Sequence, residues 1–148
     1  MQISTLLSYA GGFKDAVEEI KQLESAGLDM VWVPEAYSFD APSAMGYLAA
    51  NTERVIIASG ILPIYSRTPT LLAMTAAGID YLSDGRCMLG LGASGPQVIE
   101  GFHGVPYEAP VGKMKEIVEI CRRSGAGTAF NIWVNTFKSP SLKTEEPA

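Results

Sequence analysis

The sequence predicts an α/β protein in which about four strand-helix units build a parallel sheet. Short apolar segments of strand length alternate with longer segments whose apolar residues recur at helical spacing. The strand segments LDMVWVP and RVIIASGIL are apolar at nearly every position, which is typical of strands buried on both faces. Because such strands lie between helical layers, we expect a parallel sheet that is covered by the intervening helices.

Two strand-helix units are expected before residue 52, and each follows from its apolar spacing. In the first unit, two glycines interrupt the N-terminal apolar run, and Phe13, Val17 and Ile20 then recur at helical intervals. In the second unit, Gly27 ends the preceding helix, and an Ala- and Leu-rich segment follows the apolar strand. The predicted elements are a strand over 2–8, a helix over 13–26, a strand over 28–34 and a helix over 41–51.

The next two units repeat this plan. Thr68 and Pro69 open the third helix, because proline is favoured in the first turn of a helix. Asp84 and Gly85 are a turn signal before the fourth strand. The predicted elements are a strand over 54–62, a helix over 68–83, a strand over 87–92 and a helix over 111–123.

The composition indicates one globular domain that does not bind nucleic acid. Of 148 residues, 47% are hydrophobic and 18% are charged, which is sufficient for a buried core. The net charge of -5 argues against a phosphate-backbone binder, which needs clustered Lys and Arg. Two separated cysteines and one histidine predict neither a metal site nor a disulfide scaffold. We also expect no membrane span and a cytoplasmic location, because a basic leader and a run of about 18 apolar residues are both missing.

Two architectures are compatible with four such units, an open doubly wound sheet and half of a barrel. Residues 90–95 satisfy the G-x-G-x-x-G pattern, so an NAD-binding Rossmann domain is one alternative. That motif ordinarily lies in the first strand-helix turn, and an acidic residue follows it by about 20 positions. Here it follows the fourth strand, and Lys115 and Glu116 occupy the later position within a predicted helix. A complete (β/α)8 barrel needs about 250 residues, so this chain would form half of one.

Three segments carry a family pattern. They are GLDMVWVPEAY, the long run from SGILPIYSRTP through LGLGASGPQVIEGFHGVPY, and the helix ending in EICRR. The densest part is LSDGR followed by LGLG, where Arg86 can cap preceding carbonyls and Gly90 and Gly92 allow close approach. Together the segments resemble the luciferase-like oxidoreductases, especially the branch that uses coenzyme F420. The resemblance covers residues 1–123 and implies the N-terminal half of a (β/α)8 TIM barrel.

The resemblance implies a cofactor, coenzyme F420 with FMN as the alternative, whose ring lies over the carboxyl ends of the strands. In this family a bulge with a cis peptide supports the ring, which assigns Ser59, Gly60 and Ile61 to the site, with the cis bond between Gly60 and Ile61. Glu35 corresponds to a polar residue near the ring edge, or alternatively caps the following segment. Ala36 stands where many relatives keep a catalytic histidine, so no catalytic acid or base is assigned and sugar-phosphate dehydrogenase activity is not expected.

The loop after the fourth strand resembles the family's loop that contacts the ring edge and the ribityl chain. This assigns Ala93, Ser94, Gly95 and Gln97 to the cofactor site. Ser94 and Gln97 offer hydrogen bonds suited to carbonyls or hydroxyls. Alternatively, Ser94 caps a helix that begins at Pro96, since proline is common at the first helical position.

Residues 124–148 do not continue the strand-helix pattern and are expected to form a divergent tail. In a shifted reading frame the tail permits Val-Trp-Arg-Arg directly after Arg123 and Gly-Lys-His-Phe-Gln-Ile-Pro-Leu further on. Both strings resemble the way relatives continue. Our hypothesis for the tail is therefore a one-base shift near the codon for Arg123, and a natural extension or linker is the alternative.

For an intact relative the resemblance implies hydride transfer between the cofactor and a small organic substrate. Loops after strands seven and eight of a barrel commonly hold phosphate groups, and the four predicted strands of this chain do not include them. We therefore expect weak or no activity from this chain alone. The first and fourth strands are expected to expose unpaired edges beside an uncovered apolar interior, which favours a homo-oligomer. A non-catalytic half-barrel that acts through assembly is the alternative function.

Overall fold

The computed structural model describes residues 1–9 and 12–124, and the backbone of 131–134. The strands are β1 (Ser4–Leu6), β2 (Met30–Val33), β3 (Ile56–Ser59), β4 (Leu62–Pro63), β5 (Cys87–Gly92) and β6 (Asn131–Val134). The helices are α1 (Phe13–Ser25), α2 (Ala41–Asn51), α3 (Pro69–Leu82), α4 (Pro96–Ile99) and α5 (Pro110–Ser124). The predicted elements are all present; β4 is the end of the predicted third strand, α4 is the helix that the alternative for Ser94 placed at Pro96, and β6 is additional. Among the described helices, none combines the length and the apolar character needed to cross a membrane.

The strands form one parallel sheet whose neighbours follow the order of the chain. β1 pairs with β2 and β2 with β3, while β5 pairs with β3 and β4 on one side and with β6 on the other. The described strands thus form the first part of a barrel wall, as predicted. The Rossmann alternative is not supported, because a doubly wound sheet reverses its strand order, whereas the described strands progress in one direction. Gly90 moreover lies inside β5 and not in a phosphate-binding turn.

A bulge splits the predicted third strand into β3 and β4. Three residues lie between Ala58 and Leu62, whereas two lie between their partners on β5, Met88 and Leu91. One extra residue on one strand of a pair makes a β-bulge, which bends the strand and leaves its residues free of the regular ladder. The bulge spans residues 59–61, at the place that the family resemblance implied.

The peptide bond inside the bulge, between Gly60 and Ile61, is trans, so the predicted cis bond is wrong. A trans bond is favoured by about 3 to 4 kcal/mol for a residue other than proline, and the cis form persists only where the surroundings impose it. The Gly60 N–H donates to the carbonyl of Val33 at 2.6 Å, so the bulge is attached to β2 with the trans bond in place.

The two faces of the sheet differ in burial. The row of paired residues that faces the helices is 0 to 3% exposed and comprises Val31, Ile57 and Cys87. On the opposite face, Leu6, Trp32 and Met88 are at least partly exposed, whereas Ala58, between the last two, is buried. This second face, which we call the concave face, corresponds to the interior of a complete barrel.

Side-chain caps set the starts of α2 and α3 at the carboxyl edge of the sheet. Asp40 accepts a hydrogen bond from the backbone N–H of Ser43 at 3.0 Å, and Thr68 accepts one from Leu71 at 3.3 Å. Both helices have proline in the first turn, as predicted for Pro69. The caps satisfy N–H groups that have no partner inside the helix and place both helix starts beside the strand ends.

Arg86 joins the amino edge of the sheet to the end of α2. Its guanidinium donates to the carbonyls of Ala49 at 3.1 Å, Thr52 at 2.8 Å and Val55 at 3.0 Å. Its Nε donates to the carbonyl of Ser83 at 2.7 Å. The contact with Ser83 confirms the prediction that Arg86 caps preceding carbonyls. The contacts with the carbonyls at the end of α2 were not predicted, and they connect Arg86 to a second helix.

Glu24 is a buried carboxylate, 8% exposed, at the same edge. It accepts the backbone N–H groups of Glu53, Arg54 and Val55 at 2.6 to 3.2 Å, and the Arg54 guanidinium donates to the Glu24 carbonyl. Burial by itself raises the pKa of Glu24. The hydrogen bonds from Arg54, Val55 and Glu53, with the charge of Arg86, outweigh that effect and hold the pKa below its usual value.

Because folding lowers the pKa of Glu24, we expect the free energy of unfolding to decrease as the pH falls into the acid range. Folding stabilises the ionised carboxylate, so its contribution is present above the unfolded pKa of about 4.3 and is lost as the pH falls through the folded pKa. We expect Glu24→Gln to lower the free energy of unfolding at pH 7, with a deficit that narrows towards pH 3. Urea unfolding at several pH values measures this. Glu18→Gln, at an exposed residue of α1 paired with Lys21, is the matched control and should change stability by under about 0.5 kcal/mol at every pH. A constant deficit for Glu24→Gln would contradict the assignment.

Residues 131–134 of the predicted tail form a strand of the sheet, β6. The backbone of β6 pairs in parallel with β5, with Asn131 opposite Met88 and Val134 opposite Leu91. The expectation that the tail abandons the pattern is wrong for this strand, because its backbone pairs with the side of β5 that would otherwise be an unpaired edge. β5 is consequently not the edge strand that was predicted. Residues 125–130 and 135–148, which carry most of the frame-shift hypothesis, lie outside the described residues.

Candidate functional site

The carboxyl ends of β2, β3 and β5 lie side by side at one edge of the sheet. Val33 pairs with Ser59 at the end of β2 and β3, and Pro63 of β4 pairs with Gly92 at the end of β5. The residues that follow these strands therefore meet at one edge. We call this edge the ring face; its predicted members are Glu35, Ser59, Gly60, Ile61, Ala93, Ser94, Gly95 and Gln97.

Ser59, the first residue of the bulge, is fixed to β5 by hydrogen bonds. Its hydroxyl donates to the carbonyl of Gly90 at 2.8 Å and accepts the Gly90 N–H at 2.7 Å, and the residue is fully buried. A Cβ on Gly90 would stand 2.0 Å from the Ser59 carbonyl oxygen, so only glycine fits there. This contact confirms the predicted close approach at Gly90. Ser59 thus contributes by fixing the backbone and not through an exposed group.

Gly60 and Ile61 form the surface of the bulge. Both residues are half-buried, and a Cβ on Gly60 would meet the Val33 carbonyl oxygen at 3.1 Å. The Ile61 side chain lies over Gly92, with its Cδ1 atom 2.7 Å from the place of a Cβ there. Gly92 is buried and therefore leaves room for the Ile61 side chain, which covers it.

The loop after β5 supplies the polar groups of the ring face. Ser94 and Gln97 are exposed, whereas Ala93 and Gly95 are half-buried. Ser94 has a left-handed backbone with φ of 57°, and its carbonyl accepts a hydrogen bond from the Tyr107 hydroxyl at 3.2 Å. The predicted cap is wrong, because Gly95 is the residue that precedes α4 and α4 has no side-chain cap.

Glu35 forms a paired contact with Arg67. The Arg67 guanidinium donates to both Glu35 carboxylate oxygens, at 2.6 and 2.9 Å, and to Oδ1 of Asp40 at 2.7 Å. The N–H of Ala41 donates to Glu35 at 2.8 Å, so the carboxylate also caps the start of α2. This is the alternative role that the sequence left open for Glu35. The Glu35 side chain is 9% exposed, which leaves it little surface for a ligand.

Arg67 and Asp40 were not predicted as members of this edge. Burial lowers the pKa of Arg67, but its hydrogen bonds and charge contacts with Glu35 and Asp40 outweigh burial and raise that pKa. For Asp40, burial raises the pKa, whereas the contacts with Ser43 and Arg67 lower it overall. The sequence contains a signal for this cluster, because Arg67 follows one strand end while two carboxylates follow the neighbouring one.

The described strands have the geometry of part of a (β/α)8 barrel, with a bulge in the third strand and glycines at the carboxyl edge. A family model of luciferase-like monooxygenases matches residues 1–141. The chain therefore belongs to the luciferase-like monooxygenase family, as the sequence resemblance predicted.

One relative and two solved structures that are similar to this chain have coenzyme F420 or FMN in their names. A putative coenzyme F420-dependent oxidoreductase of Mycobacterium tuberculosis is 36% identical over 125 residues, which cover 83% of this chain and 36% of that protein. The coenzyme F420-dependent tetrahydromethanopterin reductase of Methanopyrus kandleri superposes with a TM-score of 0.70 at 22% identity, covering 83% of this chain and 39% of that one. A type II Baeyer-Villiger monooxygenase of Pseudomonas putida in complex with FMN has a TM-score of 0.71 at 17% identity, covering 83% and 40%. The chain spans about a third of the length of the first of these relatives.

Proposed function

We propose that this chain forms the ring-binding part of a deazaflavin-dependent oxidoreductase, with coenzyme F420 preferred and FMN as the alternative. The observation that carries the proposal is the contact of the bulge residue Ile61 with Gly92, the last residue of β5, directly before Ala93 at the carboxyl edge of the sheet. Active sites of (β/α)8 barrels lie at this edge. The name of the 36% identical mycobacterial relative supports coenzyme F420.

The residues at the ring face fit a flat ring with a polar rim. Ile61 gives an apolar surface, and the buried Gly92 beneath it has no side chain and so leaves room for the Ile61 side chain. Ser94 and Gln97 follow the end of β5 in the chain and are exposed, so their hydroxyl and amide groups can hydrogen-bond to carbonyls or hydroxyls. When bound, the cofactor supplies or accepts the hydride, while these residues orient it and limit the access of water.

We propose hydride transfer with a small organic substrate as the activity of the complete barrel, and weak or no turnover for this chain alone. Ala36 stands where many relatives keep a catalytic histidine, and Glu35 is paired with Arg67, so neither of these two positions supplies a free general acid or base. A cytoplasmic location accords with the free, buried thiols of Cys87 and Cys121.

Titration of the purified chain with coenzyme F420 and with FMN, followed by cofactor fluorescence, tests the proposal. We expect saturable binding that is tighter for F420, without turnover above the rate of free cofactor. Gln97→Ala should weaken binding by about three- to tenfold, the value of one hydrogen bond. Gln22→Ala is the matched control. Gln22 is exposed near the C-terminal end of α1, away from the carboxyl edge of the sheet, so this variant should bind as the parent does. Equal binding by both variants would remove Gln97 from the site, and failure to bind either cofactor would refute the proposal.

We also propose that the chain associates with itself through the concave face. Leu6 is 62% exposed there, beside the half-buried Trp32 and Met88, and contiguous apolar surface of this kind favours association. Sedimentation equilibrium should show a dimer or larger oligomer. We expect Leu6→Ser to shift the equilibrium towards monomer, whereas Leu71→Ser, at a 47% exposed position on α3, should not. A monomeric parent chain would contradict this proposal.

A further inference from the structure

A cavity beside the starts of α1 and α2 is lined largely by aromatic side chains. Its volume is about 470 Å³. It is lined by Tyr9, Phe13, Phe39, Asp40, Ser43, Ala44 and Tyr47. The volume lies within the usual range of small-molecule sites, about 300 to 1,000 Å³.

Four of these rings form a continuous chain in the order Phe39, Tyr9, Phe13, Tyr47. The centroids of successive rings are 5.8, 6.1 and 5.5 Å apart. Phe39 and Tyr47 remain 68% and 40% exposed, so the aromatic surface is open to solvent. Aromatic faces carry negative partial charge and attract organic cations within about 6 Å of a ring centroid.

The charges around the cavity favour a cation. Asp40 lines it with a side chain that is 53% exposed, and none of the described lining residues is Lys or Arg. The guanidinium of Arg67 contacts Asp40, but it is shared with Glu35, so these three side chains together carry a net negative charge. The pKa of Tyr9 is raised, first by burial and then by the negative charges of Glu35 and Asp40, which accords with a negative potential at the rings.

We propose that this cavity binds an organic ammonium ion, with the charged head over the aromatic faces and beside the Asp40 carboxylate. None of the aromatic residues Tyr9, Phe13, Phe39 and Tyr47 is a predicted member of the ring face, and Asp40 is linked to the predicted member Glu35 through Arg67. An aromatic surface with a single neighbouring carboxylate is the arrangement that recognises quaternary and substituted ammonium groups.

The test compares choline with its neutral isostere 3,3-dimethyl-1-butanol, using amide chemical shifts of the ¹⁵N-labelled chain. Sodium chloride replaces choline chloride in the reference samples, so that ionic strength stays constant. We expect saturable shifts at Asp40, Ser43 and Ala44 with choline at millimolar concentration, and at least tenfold weaker binding of the alcohol. Equal affinity for the two compounds, or no shifts at these residues, would overturn the proposal.

Two variants separate the charge from the aromatic faces. Asp40→Asn removes the charge and keeps a good helix cap, so α2 should persist while choline binds about three- to tenfold more weakly. Phe39→Leu keeps apolar area and removes a ring, and should weaken choline but not the alcohol. Tyr81→Leu, at an 83% exposed ring outside the cavity, is the matched control and should leave choline binding unchanged. Unchanged choline affinity in both Asp40→Asn and Phe39→Leu would also overturn the proposal.

Discussion

Replacing Gly90 with alanine is expected to abolish cooperative folding. The added Cβ would stand 2.0 Å from the carbonyl oxygen of Ser59, a backbone atom that cannot rotate away. Relief requires β5 to move from β3, which breaks the two hydrogen bonds between the Ser59 hydroxyl and the Gly90 backbone. We expect a loss of more than about 4 kcal/mol, comparable with the whole stability of many small domains.

The matched control for this substitution is Gly78→Ala. Gly78 is an exposed glycine inside α3, and a Cβ there would meet nothing within 4 Å. Alanine in a helix interior should stabilise the chain by about 0.5 to 1 kcal/mol relative to glycine. Circular dichroism with urea unfolding measures both variants. A Gly90→Ala chain that unfolds at the parent's urea midpoint would show that β3 and β5 do not approach as described.

The second large effect is expected for Arg86→Met. Besides three carbonyls near the end of α2 and the carbonyl of Ser83, the guanidinium donates to the Thr52 hydroxyl at 2.9 Å. Methionine fills part of the space but donates no hydrogen bond, so several partly buried carbonyls lose their partners. Glu24 also loses its neighbouring positive charge. We expect a loss of about 3 to 5 kcal/mol in the free energy of unfolding.

Arg123→Met is the matched control for Arg86→Met. Arg123 is 80% exposed on α5 and pairs with Glu119 at 2.8 Å. An exposed pair of this kind contributes under about 1 kcal/mol, so its loss should move the unfolding midpoint little. Equal effects of the two substitutions would show that the contacts of Arg86 with α2 do not stabilise the fold.

The sequence predicted the order of elements because each depends on local pattern. The apolar run around Val31 and the proline at position 69 are local signals, and α2 has the predicted bounds of Ala41 and Asn51. The close approach at Gly90 was also predicted, since a glycine inside an apolar strand is typical of a place where another backbone comes near. These features therefore needed no knowledge of distant contacts.

The features that were missed depend on residues far apart in the chain. Arg67 meets Glu35 across 32 positions, and neither residue's local pattern specifies the other. The backbone of Ser94 is left-handed, which spacing could not show, and this removes the predicted cap on α4. β6 was missed because it is held by pairing with β5, where Asn131 lies opposite Met88, 43 positions earlier in the chain, and the local sequence does not specify that partner.

The central claim is that the carboxyl edge of this sheet binds a deazaflavin ring, and amide shift mapping with coenzyme F420 tests it most directly. On the ¹⁵N-labelled chain, saturating F420 should shift the amides of Gly60, Ile61, Ala93, Ser94 and Gly95. The amide of Gly85, at the opposite edge, should stay unchanged. Shifts that cluster at the opposite edge, or no shifts at saturating F420, would contradict the claim.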